Sequence, residues 1–244
     1  MGLCPDRSKC LASAGMHVVF FGDSHAHSLI RALAKGSGEE DLIAVDVRRI
    51  KDGRANAKEI PGDLARAFPA EAVFCCLGGT EYNLLGLIES PQPFDFLLSP
   101  GDAVAPERTP VPHGLVRAAL ASRMRSSLAR MADVRAQYEC PFTCVAPPPP
   151  FAELDATVNL PRAFVPHLDK GIAPARLRLK LYNVQLELLQ AHCRAEEITF
   201  MPAPSNATDD AGYLRREFWD KDPTHGNARY GQSVIEQIRS SQFA

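Results

Sequence analysis

The sequence lacks a charge surplus, a long apolar run and a metal-binding cysteine pattern, and each absence narrows what the chain can do. Lysine and arginine number 27 against 29 aspartate and glutamate, a formal net charge of −2 over 244 residues. With no electrostatic pull toward nucleic acid or anionic lipid, neither nucleic acid nor membrane is an expected partner, and a small, weakly charged molecule is. No window approaches the roughly 18 consecutive apolar residues of a membrane span. The opening MGLCPDRSKCLASAGM has no uninterrupted apolar stretch and does not read as a signal peptide. Asp6 and Arg7 stand where a myristoylation pattern wants Ser or Thr. Among the 7 cysteines, Cys4/Cys10 and Cys140/Cys144 are spaced for a metal, but no Cys/His partners follow at zinc-site distances. Cys75-Cys76 sits in an apolar run as core thiols do. Reduced thiols point to a cytoplasmic protein. Internal repeats and low-complexity linkers are also missing, so residues 1–244 read as a single domain.

What is present is an alternation of short apolar runs with longer helical periods, the pattern of parallel strands joined by crossover helices. HVVFFG is the first strand and HSLIRALAKG the helix after it; LIAVDV, residues 42–47, is the second strand, and a short helix surrounds GDLARAF. AVFCCLGG, residues 72–79, is continuous in hydrophobicity, as a strand covered on both faces should be. From Ser90 to Pro112 the alternation breaks into a Pro-rich loop or lid. A helix then carries Val116, Leu120, Met124, Leu128 and Met131 on one stripe. FTCVA, residues 142–146, is the fourth strand, stopped by four prolines; PARLRLKLYNVQLELLQAHCRAE is the longest helix, ITFMPAP the fifth strand, and DPTHGNARYGQSVIEQI a loop feeding the last helix. The expected fold class is α/β: a three-layer α/β/α sandwich on a five-stranded parallel sheet.

In such a sheet the carboxyl ends of the strands form one crevice. Three of those ends carry reactive groups: Gly22-Asp23-Ser24, Gly78-Gly79-Thr80-Glu81-Tyr82-Asn83, and Asp222-Pro223-Thr224-His225. A serine hydroxyl becomes a nucleophile when a histidine takes its proton and an acid orients that histidine. Asp222 and His225 can share one loop and serve as that pair. Ser24 alone reads as a helix cap; with an Asp-x-x-His block at the far end of the chain it reads as a nucleophile. Backbone N–H groups of Ser24 and of the Gly78-Gly79 turn can hold the oxyanion. His25-x-His27 opens a helix, where positions two apart diverge, so a metal pair is not expected. His25 is expected to line the pocket, Asp23 to anchor the elbow, and Glu81 and Tyr82 to touch substrate at the rim or pack there.

At these residues the chain resembles the SGNH (GDSL-type) hydrolase family. FFGDSH stands where that family has its nucleophile block and DPTH where it has its terminal Asp-x-x-His. The resemblance runs from about residue 16 to 240. It implies a flavodoxin-like fold, a serine esterase with the triad Ser24, Asp222 and His225, and no metal or organic cofactor. It departs from the family at His25, usually Leu, and at Gly78-Gly79-Thr80-Glu81, usually Gly-x-Asn-Asp, so that the missing side-chain donor is expected from Thr80, or from Asn83 where that residue does not simply cap a helix. The second-block glycine falls at Gly53, unless that residue serves only a turn, with Gly62 the other candidate. A small acyl ester, including a carbohydrate acetyl ester, is the implied substrate; an O-acyltransferase and a non-catalytic glycan- or acyl-binding protein are the alternatives. Oligomeric state is not legible.

Overall fold

The computed structural model describes residues 17–36, 41–50, 59–154, 159–162 and 164–242. Five parallel strands, β1 (Val18–Gly22), β2 (Leu42–Asp46), β3 (Ala72–Cys76), β6 (Phe142–Val145) and β7 (Thr199–Met201), form one sheet in the order β2-β1-β3-β6-β7. This is the doubly wound flavodoxin-like order, in which the chain reverses direction across the sheet beside β1. The sequence placed each of these strands; β6 closes one residue earlier than expected, at Val145.

Strand periodicity divides the core between two faces. Val18 and Phe20 turn toward helices α1 (Ala26–Leu33) and α6 (Ala228–Gln242), where they pack with Leu29, Val234 and Ile235. Val19 and Phe21 turn toward α2 (Leu64–Ala67), α4 (His113–Arg135) and α5 (Ala175–Ala195), where they meet Leu64, Met124, Met131 and Leu189. Each large side chain buried this way contributes about 1.5–3 kcal/mol. Helices α1 and α6 approach so closely that a Cβ at Gly231 would lie 2.1 Å from the Ser28 carbonyl oxygen.

The Pro-rich excursion is a tethered structure. It holds a two-stranded parallel pair, β4 (Phe94–Asp95) and β5 (Thr109–Pro110), which follows the one-turn helix α3 (Asn83–Gly86). Lys180 of α5, buried beneath it, donates to Asp95 Oδ1 at 2.9 Å and to the carbonyls of Phe96 and Ala103 at 2.7 and 3.0 Å, and pairs with Asp102 at 2.9 Å. Arg108 closes on Glu89 and Arg176 on Asp102. These contacts, buried at Lys180 and Arg108 and exposed at Arg176, hold the segment to α5 and to Glu89 at its start. The tetraproline stretch, Pro147 to Pro150, is likewise interior, its carbonyls accepting from Tyr182 Oη at 2.9 Å and Leu214 N–H at 3.0 Å.

The described cysteines, Cys75, Cys76, Cys140, Cys144 and Cys193, are all free. No helix among the described residues is long and apolar enough to cross a membrane.

Candidate active site

The crevice is assembled from the ends of β1 and β3 and from the loop before α6. Asp23, immediately after β1, joins the first two: its Oδ2 accepts from Gly78 N–H at 3.2 Å and faces Arg130 of α4 at 3.5 Å. Asp23 is thus an anchor of the elbow. Ser24 follows in the turn into α1; its hydroxyl and N–H donate to no acceptor among the described residues.

The loop carrying Asp222 and His225 is pinned over α1. Arg31 donates to Asp220 Oδ2 at 2.5 Å and to the Gly226 carbonyl at 3.2 Å, and Asp220 N–H bonds the His225 carbonyl at 3.2 Å. Within that frame His225 Nδ1 lies 2.8 Å from both oxygens of Asp222, and Thr224 Oγ1 donates to Asp222 Oδ1 at 2.6 Å. Burial alone would raise the Asp222 carboxyl, but hydrogen bonding and charge from His225, with Thr224 behind them, outweigh it and hold the acid below its ordinary value. An ionised Asp222 favours the Nδ1–H tautomer, which leaves Nε2 as the acceptor nitrogen. That Nε2 is buried and has no partner among the described residues. The Asp222–His225 pair is formed; no hydrogen bond joins His225 to Ser24. Such contacts are commonly long or misaligned before substrate arrives.

The Gly78–Glu81 turn departs from expectation. Gly79 adopts a φ of +93°, and a Cβ there would lie 2.6 Å from Pro147 Cβ, so only glycine fits. Its N–H, expected to face the oxyanion, is taken by Glu81 Oε2 at 2.7 Å, and Ser127 of α4 donates to Glu81 Oε1 at 2.6 Å. A carboxylate in this partly buried turn requires donors, and these are the nearest, which removes both Gly79 as an oxyanion donor and Glu81 as a rim contact. Of the two readings of Tyr82, packing holds: it is 2% exposed, meets Tyr182 edge-on at 5.5 Å, and belongs to the core. Asn83 is 2% exposed and lines a cavity of about 460 Å³ with Leu84, Ile88, Phe94 and Arg123, its Nδ2 unpartnered among the described residues. Thr80 remains half-buried, its hydroxyl without a partner among the described residues. Gly53 lies outside the described residues; Gly62 precedes α2, with open space around it.

His25 is buried, with its ring 5.1 Å from that of His225. Burial, then the charge of His225, lowers its imidazole to about 4 against the opposing pull of Asp23 and Asp222. His27 turns away and meets Asp46 at 2.8 Å, as the divergence of positions two apart requires. No group of three or more potential metal ligands occurs among the described residues.

Sequence reasoning missed Arg130 and Ser127. Their spacing puts them on one face of α4, but nothing in RSSLARM marks that face as the one beneath the crevice.

No protein-family model matches the chain, and no curated protein matches it in sequence. Solved structures do resemble it. One from Bacteroides fragilis, described as an acylhydrolase, is 10% identical over 94% of this chain and 88% of its own, with a TM-score of 0.50. A GDSL-like lipase from Bacteroides thetaiotaomicron is 12% identical over 93% and 87%, with a TM-score of 0.47. The aryl esterase of M. smegmatis is 16% identical over 93% and 99%, with a TM-score of 0.46. The first of these bears on the fold, which this chain shares; the other two fall below a TM-score of 0.5 and add nothing to it.

Proposed function

We propose that this chain is a serine hydrolase of the SGNH type, cleaving a small acyl ester through an acyl-enzyme on Ser24. The observation that carries the reading is the Asp222–His225 pair at 2.8 Å, which leaves Nε2 of His225 buried and without a partner among the described residues. In the forward step His225 Nε2 takes the Ser24 proton as Oγ bonds to the acyl carbon, and the carbonyl electron pair moves onto oxygen. Collapse of that intermediate expels the alcohol, which receives the proton from His225. Water, deprotonated by the same nitrogen, then releases the acid. Asp222 keeps its proton count throughout, holding the ring and steadying the imidazolium. Ser24 N–H and Thr80 Oγ1 are the oxyanion donors left open by the geometry, with the Gly53 N–H as the proposed second-block donor.

No metal or organic cofactor enters this chemistry. A carbohydrate O-acetyl ester is the proposed natural substrate, on the resemblance of the motifs, and the cytoplasm is the proposed location. Release of nitrophenol from a short-chain nitrophenyl ester should occur with the wild type and vanish with His225→Ala while the unfolding temperature holds; equal turnover by the folded variant overturns the reading. Partition of the acyl group between water and an added sugar hydroxyl separates a hydrolase from an acyltransferase. The specific observation favouring a non-catalytic acyl- or glycan-binding protein is the lack of a Ser24–His225 hydrogen bond.

A further inference from the structure

Two unpartnered imidazole nitrogens meet at this site, and the triad uses one of them. His25 is 5% exposed, and its Nε2, like that of His225, is buried without a hydrogen-bond partner among the described residues. The two rings lie 5.1 Å apart, tilted by 49°. On its other side His25 Nε2 abuts the Gly-Gly turn: a Cβ on Gly79 would stand 3.2 Å from it. The ring is therefore held between the catalytic base and the turn that follows β3, the elements between which a carbonyl attacked by Ser24 would sit.

That turn is short of donors. Gly78 N–H is bonded to Asp23 and Gly79 N–H to Glu81, and Thr80 stands where the resemblance expects an asparagine. A buried polar atom left unpaired costs about 1–3 kcal/mol, so an unbonded nitrogen here points to an acceptor that arrives with the substrate. Neutral imidazole offers one N–H donor. Burial and the neighbouring His225 keep His25 uncharged at neutral pH, so its donation adds no second positive charge beside the imidazolium that forms on His225.

We propose that His25 is a catalytic residue, its Nε2–H donating to the oxyanion formed when Ser24 attacks the ester. This rests on the hydrolase reading above. As the Ser24 Oγ–carbon bond forms, the carbonyl pair moves to oxygen and is met by His25 Nε2–H. His25 keeps its proton, since His225 carries the transferred one, and the hydrogen bond is released when the carbonyl re-forms.

The test compares wild type, His25→Leu, His25→Asn and His25→Gln on a short-chain nitrophenyl ester, with fluorophosphonate labelling of Ser24 and thermal unfolding measured alongside. Leucine fills the space without donating; the amides restore a donor. His25→Leu should lower kcat about a hundred- to a thousandfold with KM little changed, and at least one amide variant should recover tenfold or more of that loss. Wild-type turnover by His25→Leu overturns the proposal. So does an equal loss in the folded leucine and amide variants, which would assign His25 to packing. A wild type that neither labels nor turns over ends the hydrolase reading and this one with it, a result distinct from an active, labelled enzyme indifferent to His25.

Discussion

The Asp222–His225 loop and the Gly78–Glu81 turn border the same crevice but settle their polar groups in opposite ways. In the loop, Asp222 and Thr224 satisfy one side of His225 and leave its Nε2 open; in the turn, Asp23 and Glu81 consume both glycine N–H groups and leave none. On the proposed mechanism the loop supplies the proton-transfer pair, and stabilisation of the oxyanion at the other border would come from side chains. A hydroxyl at Thr80 and an imidazole at His25 are the groups within this border that remain unbonded among the described residues.

The comparison can be broken most sharply at the loop. Ser24→Ala or His225→Ala should cut turnover by about a millionfold, with the melting temperature unchanged; a folded variant retaining activity would remove the loop from the mechanism. Asp222→Asn should cost about ten thousandfold in kcat, because the amide favours the wrong tautomer of His225; a loss below tenfold would show that Thr224 alone orients the ring.

At the turn the expected effect is smaller. Thr80→Val should lower kcat about a hundredfold, the lower end for loss of one oxyanion donor; no change would leave side-chain donation to His25. Away from both borders, Lys180→Met should destabilise the fold by about 3–5 kcal/mol, by leaving Asp95 buried without its cation and Asp102 with Arg176 alone; urea unfolding measures it, and a shift under about 1 kcal/mol, the size of an ordinary substitution, would mean the excursion is not fastened there.

A pH series sharpens the electrostatics. Burial would raise Asp95 and Asp222, but Lys180 and His225 respectively, with neighbouring hydrogen bonds, hold each below its ordinary value. A folded-state pKa below the unfolded one adds stability that is present in full above the unfolded carboxylate value, about 3.9, and is lost as pH falls through the depressed folded value. The urea midpoint should fall on that acid limb and fall less in Asp95→Asn; identical limbs would contradict the assignment.

The strands were legible because burial on both faces makes them continuously apolar, as in VVFFG and AVFCC. Asp222 and His225 were legible because they share a loop. Glu81 reads from sequence as either a rim contact or a packed residue, because sequence order cannot show that its carboxylate folds back two residues onto Gly79. The burial of Tyr82 and Asn83 has a related cause: the turn enters α3 at once, which draws both side chains into the interior. Nothing in LRLKLYN marks Lys180 as interior, and only the folded excursion above it makes it a buried hub.

The central claim is an activated Ser24. Incubation with a fluorophosphonate and intact-mass analysis of wild type beside Ser24→Ala tests it most directly: one adduct on the wild type, located at Ser24 and missing from the variant, is the predicted result. Equal labelling of both folded proteins, or of neither, would contradict it.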